Sequence, residues 1–130
     1  MSTNELLNIE LDGLPPTVNM MYRGLHGHRF KTSDTLEYQN YAVCRLRKIW
    51  AKRSPYDGRI ELSIIYHTYN HRRWDVDNRL KALQDCLSLA GVIKDDSQID
   101  RLIVERVIDT NTRRDYTNIR LREYEQAANQ

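Results

Sequence analysis

Residues 59–96, RIELSIIYHTYNHRRWDVDNRLKALQDCLSLAGVIKDD, decide the fold because they join a strand pattern to a helix pattern through an acidic motif. Apolar and polar side chains alternate over residues 59–69, which predicts a half-buried strand. Over residues 76–90 the apolar residues recur at helical spacing, which predicts a helix with one apolar face. Gly91 suits the left-handed position that ends a helix, so the chain turns back beside it toward Asp95-Asp96.

The acidic residues of this stretch form two groups, Asp75 with Asp77 before the helix and Asp95 with Asp96 after it. Carboxylates that point into one poorly solvated cleft repel each other, and a divalent cation relieves that repulsion. Mg2+ prefers oxygen ligands and keeps waters or phosphate oxygens in its shell, so two or three carboxylates suffice for a hydrolytic site. The sequence therefore predicts a metal site where the two groups face each other.

A lysine lies between two aspartates at helical spacing. Asp77, Lys81 and Asp85 are four residues apart and fall in one line along the predicted helix. The Lys81 ammonium would there offset the charge of a phosphate in the transition state. The alternative is an ion-pair ladder on a solvated helix face, with Asp75 or Asp77 capping the helix.

Four strand patterns and two helix patterns run along the chain. They fall at residues 7–11 (strand), 34–52 (helix), 59–69 (strand), 76–90 (helix), 99–108 (strand) and 116–124 (strand). The order βαβαββ, with helices long enough to cover one face of a mixed sheet, predicts the α+β class. We expect a single domain over residues 1–130, with flexible ends at residues 1–5 and 125–130.

Composition limits the class of protein. The chain has 130 residues, 40% of them hydrophobic, and a net charge of +2, which suits one globular domain. It contains no apolar run long enough to span a bilayer and no signal-peptide pattern, so we expect a cytoplasmic protein. Cys44 and Cys86 lack the spacing of a metal or redox pair, and we expect both to be reduced and buried.

Charge is unevenly distributed along the chain. Residues 20–53 contain eight Lys or Arg against two acidic residues, whereas residues 75–100 contain six Asp against three basic residues. An acidic pit within a basic surface is what a metal-dependent nuclease needs, because the surface holds the polyanion and the pit holds the cation. Ordinary mixed surface charge is the alternative.

Residues 17–31 show neither a strand nor a helix period, and they are rich in basic, aromatic and histidine side chains. Such a loop can clamp a phosphate backbone or stack on a base. A disordered surface loop is the alternative, and composition alone does not separate the two.

Two other kinds of metal site fit the sequence poorly. An EF-hand loop that began at Asp75 would need glycine at its sixth position and glutamate at its twelfth, where this chain has Leu80 and Cys86. That mismatch excludes a calcium-signalling loop. The four histidines have no cysteine pair beside them, which favours surface hydrogen bonding over a zinc site.

Three motifs resemble those of the RusA family of Holliday junction resolvases, which is found in bacteria and their phages. The motifs are LPPTVN (14–19) followed by Tyr22-Arg23, then RRWDVDNRLK (72–81), then GVIKDDSQ (91–98). Their order is consistent, and the resemblance covers residues 7–108. The pattern D-x-D-N-x-x-K followed by G-x-x-x-D-D is specific, whereas the proline segment alone is weak.

The resemblance implies a RusA-like fold and a Mg2+-dependent endodeoxyribonuclease, with Mn2+ as an alternative ion. Such an enzyme acts as a homodimer, cuts opposed strands of a four-way DNA junction and prefers particular dinucleotides. By the same resemblance Asp75, Asp77 and Asp96 bind the metal, and Lys81 acts as a base or stabilises charge. A two-fold dimer suits a junction with two equivalent nicking positions.

Further residues are expected to support these roles. Asp85 and Asp95 are candidate supporting carboxylates near the metal. The residues expected to hold the junction backbone are Asn19, Arg23, Arg72, Arg73 and Asn78.

The chain departs from the family in its histidines at 26 and 28, and after residue 108 it matches only in strand pattern. These departures leave the substrate contacts and the sequence preference open. One alternative function is a nucleic-acid-binding module with an inactive site, such as a phage accessory protein. Another is a nuclease for flaps or RNA, which would share every catalytic residue.

Overall fold

The computed structural model describes residues 4–25 and 27–126, without the side chains of Leu25 and His28. The helices and strands are β1 (Glu5–Asp12), α1 (Val18–Met21), β2 (Tyr22–Leu25), β3 (His28–Lys31), α2 (Ser33–Trp50), β4 (Ile60–Thr68), α3 (Leu80–Leu89), β5 (Ile99–Ile108) and β6 (Tyr116–Glu123). Two 3-10 helices, Val76–Arg79 and Asp96–Gln98, flank α3. Most of the ends predicted to be flexible lie outside the described residues, although Glu5 belongs to β1.

Four strands form one mixed sheet in the order β1-β6-β4-β5. β4 and β5 run parallel, from Ile60 beside Ile99 to Thr68 beside Ile108, and β6 is antiparallel to both β1 and β4. A parallel pair needs a crossover connection, which α3 and the two 3-10 helices supply. The predicted α+β class, with a mixed four-stranded sheet and two long helices, is confirmed.

The core joins the sheet to α2 and α3. Alternate residues of β4 are buried, as the period of two in residues 59–69 predicts. The fully buried aliphatic side chains of the core include Leu11, Leu46, Ile60, Leu62, Ile64, Leu83, Leu87, Ile119 and Leu121. Burial of one such side chain is worth about 1.5–3 kcal/mol relative to exposure, so this shared surface holds the crossover against the sheet.

The helix predicted over residues 76–90 is shorter at its start. Residues 76–79 form a 3-10 helix, in which the Asn78 N–H donates to the Asp75 carbonyl at 3.0 Å, and α3 begins only at Leu80. The other end agrees with the prediction, because Gly91 has a φ of +76° and the Val92 N–H donates back to the Leu87 carbonyl at 3.1 Å.

α2 begins at Ser33, one residue before the predicted start at residue 34, although Asp34 is itself an acceptable capping residue. Thr32 caps the helix, and its hydroxyl accepts from the Thr35 N–H at 3.3 Å. The Thr32 hydroxyl also donates to the Met20 carbonyl at 2.9 Å, which fixes the helix to the preceding segment. Two acceptable caps two residues apart are not separable by local preference alone.

Residues 17–31 contain regular structure that the sequence did not reveal. After the single turn of α1, β2 and β3 pair antiparallel from Tyr22 beside Lys31 to Leu25 beside His28. The strands are short and lie at the surface, with Phe30 47% exposed, so no buried face imposes an apolar period. His26 lies outside the described residues.

The two cysteines differ in exposure. Cys86 of α3 is buried as predicted, whereas Cys44 of α2 is exposed, contrary to the prediction. Within the described residues, no helix combines the length and hydrophobicity needed to cross a bilayer.

Candidate active site

The first acidic group lies where the loop after β4 meets the first 3-10 helix. Asp75 occupies the position before that helix with an extended backbone, and Asp77 lies in its first turn. Both side chains are exposed, and neither carboxylate has a hydrogen bond or ion pair with a described residue. Oxygen donors without competing protein partners suit a hard divalent cation.

Trp74 anchors this group to the sheet. Its ring packs edge-on against Tyr66 of β4, with 5.3 Å between ring centroids, and Arg79 and Arg106 lie 4.7 and 5.1 Å from the Trp74 ring. The Arg106 guanidinium donates to the Trp74 carbonyl at 2.8 Å, so β5 fixes the backbone immediately before Asp75. These contacts hold the motif in place by packing and cation–π attraction.

Arg79 joins the motif to the N-terminal segment. Its guanidinium donates to the Pro15 carbonyl, and the side chain is half-buried. Burial lowers the pKa of Arg79, and the nearby positive charge of Arg72 lowers it further. Arginine stays charged in proteins, so a fixed cation lies beside the acidic motif.

The second acidic group lines a separate cleft of about 430 Å³, which we call the acidic cleft. The lining residues are Lys31, Lys81, Asp85, Ser88, Leu89, Asp95 and Asp96. Within it the Lys81 ammonium lies 3.5 Å from the Asp85 carboxylate, four residues along α3. Lys31, from the end of β3, brings a second cation to the same cleft.

The turn that carries Asp95 and Asp96 is held by a capping box. The Asp95 carboxylate accepts from the Ser97 N–H at 3.1 Å, and hydrogen bonds from Ser97 lower the pKa of Asp95. The Gln98 side chain accepts from the N–H groups of Lys94 and Asp95 at 2.7 and 2.9 Å. These reciprocal bonds orient the turn toward the cleft.

Gln98 also attaches this turn to the body of the protein. Its amide nitrogen donates to the carbonyls of Tyr56 and Gly58 at 2.7 and 2.9 Å, and the residue is only 7% exposed. Both polar atoms of the buried Gln98 side chain therefore form hydrogen bonds, as is usual for buried polar groups. Gln98 positions the acidic pair without belonging to the predicted metal ligands.

The structure brings together only part of the predicted site. Lys81, Asp85, Asp95 and Asp96 share the acidic cleft, but Asp75 and Asp77 do not line it. Within residues 4–25 and 27–126, no three Asp, Glu, His or Cys side chains are grouped closely enough to hold a metal ion.

Topology explains this separation. The first group follows the end of β4 at Thr68, and the second precedes the start of β5 at Ile99. Because β4 and β5 are parallel, those two points lie at opposite ends of the sheet. The predicted line through Asp77, Lys81 and Asp85 is also interrupted, since Asp77 belongs to a tighter 3-10 helix.

The residues predicted to bind DNA have different environments. Arg72 donates to the Asn70 side chain at 3.2 Å and lies 3.3 Å from the Asp115 carboxylate, so it is already engaged. Arg73 is exposed, with no partner within the described part of the chain, and Asn78 is half-buried. An ion pair with a half-exposed arginine is weak enough to be exchanged for phosphate.

Asn19 and Arg23 line a cavity of about 560 Å³ between the β2–β3 hairpin and the start of α2, which we call the hairpin cavity. Phe30 and Lys31 line it too, and Lys31 therefore belongs to both the hairpin cavity and the acidic cleft. The exposed aromatic ring beside these cations is the composition expected of a surface for single-stranded or distorted DNA.

Sequence reasoning missed the supports of the site. Arg106 follows Leu102 and Val104 on one face of β5. A charged residue in an otherwise apolar series indicates that its side chain has a specific partner. Gln98 carried a weaker signal, as the N3 residue of a capping box whose N-cap is Asp95. Lys31 had no comparable signal in the sequence, because only the β2–β3 hairpin brings it to the cleft that Lys81 lines.

Comparison with known proteins adds an independent finding. A family model described as "Endodeoxyribonuclease RusA" matches residues 12–122. The chain is also 34% identical over 100 residues to a protein of Aquifex aeolicus (strain VF5) named "Crossover junction endodeoxyribonuclease RusA". That alignment covers 76% of this chain and 79% of the relative. Both acidic groups and Lys81 fall inside the range matched by the family model.

Proposed function

Because the chain belongs to the RusA family of endodeoxyribonucleases, we propose that it is a Holliday junction resolvase that makes paired, symmetric nicks in four-way DNA junctions. The observation that carries the proposal is the acidic cleft, which Lys31 and Lys81 line together with Asp95 and Asp96 of the family motif. Such a cleft can accept a phosphodiester only if cations offset its negative charge. The reaction is hydrolysis of a DNA strand.

The family suggests a nuclease that depends on a divalent metal, and we propose Mg2+, with Mn2+ as an alternative. Asp75, Asp77 and Asp96 would hold the ion. The free carboxylates of Asp75 and Asp77 support this assignment, because an all-oxygen donor set without protein partners is what a hard cation selects. When bound, the ion supplies Lewis acidity at the scissile phosphate.

Side chains of the cleft have separate roles in the proposed reaction. The Lys81 ammonium neutralises charge that develops on the phosphate oxygens, and Asp85 holds that ammonium toward the cleft at 3.5 Å. Asp95 is bound to its own turn and therefore supports the backbone that presents Asp96. Lys31 guides the strand between the hairpin cavity and the acidic cleft.

The junction arms would bind to the basic and polar residues around these two depressions. Arg72 and Arg73 lie just before the acidic motif, and Asn19 and Arg23 line the hairpin cavity. Phosphate contacts of this kind fix the orientation of DNA without reading its sequence. Asn78, in the first 3-10 helix, is the remaining proposed contact.

We propose that the enzyme acts as a homodimer. Two equivalent nicks in a four-way junction require two equivalent sites, which a two-fold dimer provides. The separation of the two acidic groups in one chain supports this proposal, because a second copy can bring the missing carboxylate to each group.

A cleavage panel tests the function. Four-way junction, flap, duplex and single-stranded substrates are incubated with the protein and Mg2+, and the products are mapped on each strand. A resolvase nicks the four-way junction at symmetric positions in opposed strands and leaves duplex intact. Binding without nicks would instead support a non-catalytic junction-binding protein, and preferred cleavage of flaps or RNA would support the other alternative.

Asp77→Asn and Asp96→Asn test the proposed ligands. Each should abolish nicking while it keeps or strengthens junction binding, because it removes negative charge that repels phosphate. Asp57→Asn is the matched control, since Asp57 is an exposed aspartate outside the cleft that pairs with Lys94 at 3.1 Å. Normal nicking by either ligand variant would refute the assignment.

A further inference from the structure

The two faces of the β2–β3 hairpin differ in the contacts that their side chains make. Tyr22 pairs directly with Lys31, and Arg29 is two residues from Lys31, so these three side chains share one face. On this face the Arg29 guanidinium lies 4.5 Å from the centre of the Tyr22 ring. The Lys31 ammonium donates to the Gln39 side chain of α2. These side chains therefore have partners within the chain.

The opposite face of the hairpin carries a cation and an aromatic ring. Arg23 pairs directly with Phe30, so both side chains project from this face. Arg23 is exposed, and Phe30 is 47% exposed. Within residues 4–25 and 27–126, the Arg23 side chain has no hydrogen bond, ion pair or cation–π contact, in contrast to Arg29. The guanidinium of Arg23 and the ring of Phe30 are thus both available to a ligand.

Arg23 and Phe30 line the hairpin cavity, together with a further apolar side chain. Its volume of about 560 Å³ falls within the range of ligand sites, about 300–1,000 Å³. Met20, which is 54% exposed, also lines it, and a thioether adapts its shape to a flat ligand. Exposed apolar side chains that are grouped in a depression beside a cation indicate a binding site.

The backbone around the cavity is fixed before any ligand binds. The Thr32 N–H donates to the Met21 carbonyl at 3.0 Å, and the Thr32 hydroxyl donates to the Met20 carbonyl at 2.9 Å. Thr32 also caps α2, so one residue joins α1, the end of β3 and the start of α2. A site that is already formed loses less conformational entropy on binding, which favours affinity.

Asp34 indicates which part of a DNA strand the cavity suits. It lines the cavity, is exposed and has no ion pair with any side chain that the structure describes. A free carboxylate repels a phosphate that enters the cavity, but it accepts hydrogen bonds from the N–H groups of a base. An aromatic ring, a thioether and an acceptor together match a base, and Arg23 matches the phosphate of the same nucleotide.

We propose that the hairpin cavity binds one unpaired base of the DNA strand, with the base stacked on Phe30 and its phosphate bound by Arg23. The proposal rests on the proposed function and adds to it a site that takes a base out of its pair. Lys31 lines both this cavity and the acidic cleft, so the base belongs to a nucleotide near the scissile phosphate.

Such a site helps to select a branched substrate. A base inside an intact duplex must lose its partner and both stacking neighbours before it can reach Phe30. A base at a branch point is less completely stacked, so its extrusion costs less. Stacking on Phe30 therefore favours a junction over a continuous duplex.

A double-mutant cycle between protein and DNA tests the base contact. Dissociation constants are measured by fluorescence anisotropy in EDTA, so that no strand is cut. The substrates are a four-way junction and junctions with one abasic nucleotide at successive positions around the branch point. At one position, and at its symmetric equivalent, loss of the base should weaken binding by the parent protein about tenfold or more. Phe30→Ala should weaken binding to the intact junction by a similar factor and should bind that abasic junction no more weakly than the intact one.

Two variants are matched controls for the ring. Phe30→Trp keeps a flat aromatic surface and should keep the dependence on the base. Ile49→Ala removes a side chain that is 46% exposed, close to the value for Phe30, from the far end of α2 and outside the hairpin cavity. It should bind the intact and abasic junctions as the parent protein does.

A second pair of variants separates the proposed phosphate contact from general charge. Arg23→Ala and Arg29→Ala each remove one positive charge, from opposite faces of the hairpin. Arg23→Ala should reduce the dependence on the base, because the nucleotide is held less firmly against Phe30. Arg29→Ala should weaken binding to the intact and abasic junctions by the same factor, because its charge acts on the DNA at a distance.

Two outcomes would overturn the proposal. In the first, no abasic position weakens binding by the parent protein; in the second, the loss is equally large in Phe30→Ala. Either result means that no base contacts Phe30, and normal symmetric nicking would then keep the resolvase assignment. Conversely, the expected coupling in EDTA without nicks in Mg2+ would keep the base site and refute the resolvase assignment. A parent protein that does not bind the junction would refute both.

Discussion

Replacement of Gln98 by alanine should destabilise the protein and reduce nicking, although Gln98 does not line the acidic cleft. The amide makes four hydrogen bonds of 2.7–2.9 Å to the backbone at Tyr56, Gly58, Lys94 and Asp95. A typical intramolecular hydrogen bond contributes about 1 kcal/mol net. Water can reach the exposed Lys94 and Asp95 after the substitution, so we expect a loss of about 3 kcal/mol rather than the full sum.

The loss is measured by thermal and urea unfolding, followed by circular dichroism. A loss of this size lowers the Tm of a chain of this length by roughly 10 °C. Gln98→Glu tests the two hydrogen bonds that the amide nitrogen donates. Its carboxylate can still accept from Lys94 and Asp95, but it brings a buried negative charge against the carbonyls of Tyr56 and Gly58, so it should destabilise the protein at least as much as alanine does.

Nicking of a four-way junction is measured well below the Tm of the variant. Loss of the anchor lets the Asp95–Asp96 turn move, which should lower kcat by about tenfold or more, since misplacement by about 1 Å has such effects. Gln126→Ala, at an exposed position near the end of the described chain, is the control. A Tm shift below about 2 °C with normal nicking would refute the view that Gln98 positions the acidic pair.

Three further predictions concern other parts of the chain. Gly91→Ala should lower the free energy of unfolding by about 1–2 kcal/mol in urea, because a φ of +76° is strained for alanine; an unchanged midpoint would contradict this. Since hydrogen bonds from Ser97 lower the pKa of Asp95, its contribution to stability is present above the ordinary carboxyl pKa, about 4, and is lost as the pH falls through the lowered folded pKa. Asp95→Asn should therefore flatten the acid side of the stability profile, and an unchanged profile would count against it. Burial raises the pKa of the Cys86 thiol to about 12, so a thiol reagent should label Cys44 rapidly and Cys86 only on unfolding; rapid labelling of both in the native protein would show that α3 opens.

The parts of the fold with a buried face were predictable from the sequence. β4 lies where its apolar period indicated, because burial on the sheet face enforces a period of two. β5 also occupies its predicted range, although none of its residues is fully buried. Gly91 was predictable for a different reason, since few residues tolerate its backbone conformation. The β2–β3 hairpin was not predictable, because its short strands lie at the surface and no core position marks them.

The same limit applies to the site: residue types and short spacings were predictable, but distances through the fold were not. The sequence identified the carboxylates and Lys81 by residue type and spacing, and the acidic cleft unites Lys81 with Asp85, Asp95 and Asp96. It did not show that α3 carries the chain from one end of the sheet to the other, which separates Asp75 and Asp77 from that cleft in one copy. Distances across a sheet depend on strand order, which local spacing does not encode.

The position of β6 between β1 and β4 also bears on how the protein is made. Synthesis proceeds from the N-terminus, so β1 leaves the ribosome long before its neighbour exists. Until β6 has emerged, β1 has no strand to pair with in this sheet. The apolar side chains of the N-terminal half of the nascent chain therefore stay exposed to solvent during that time. Ribosomes stalled before residue 116 should therefore display chains that chaperones bind and proteases cut, and protection should arise abruptly once Glu123 clears the exit tunnel.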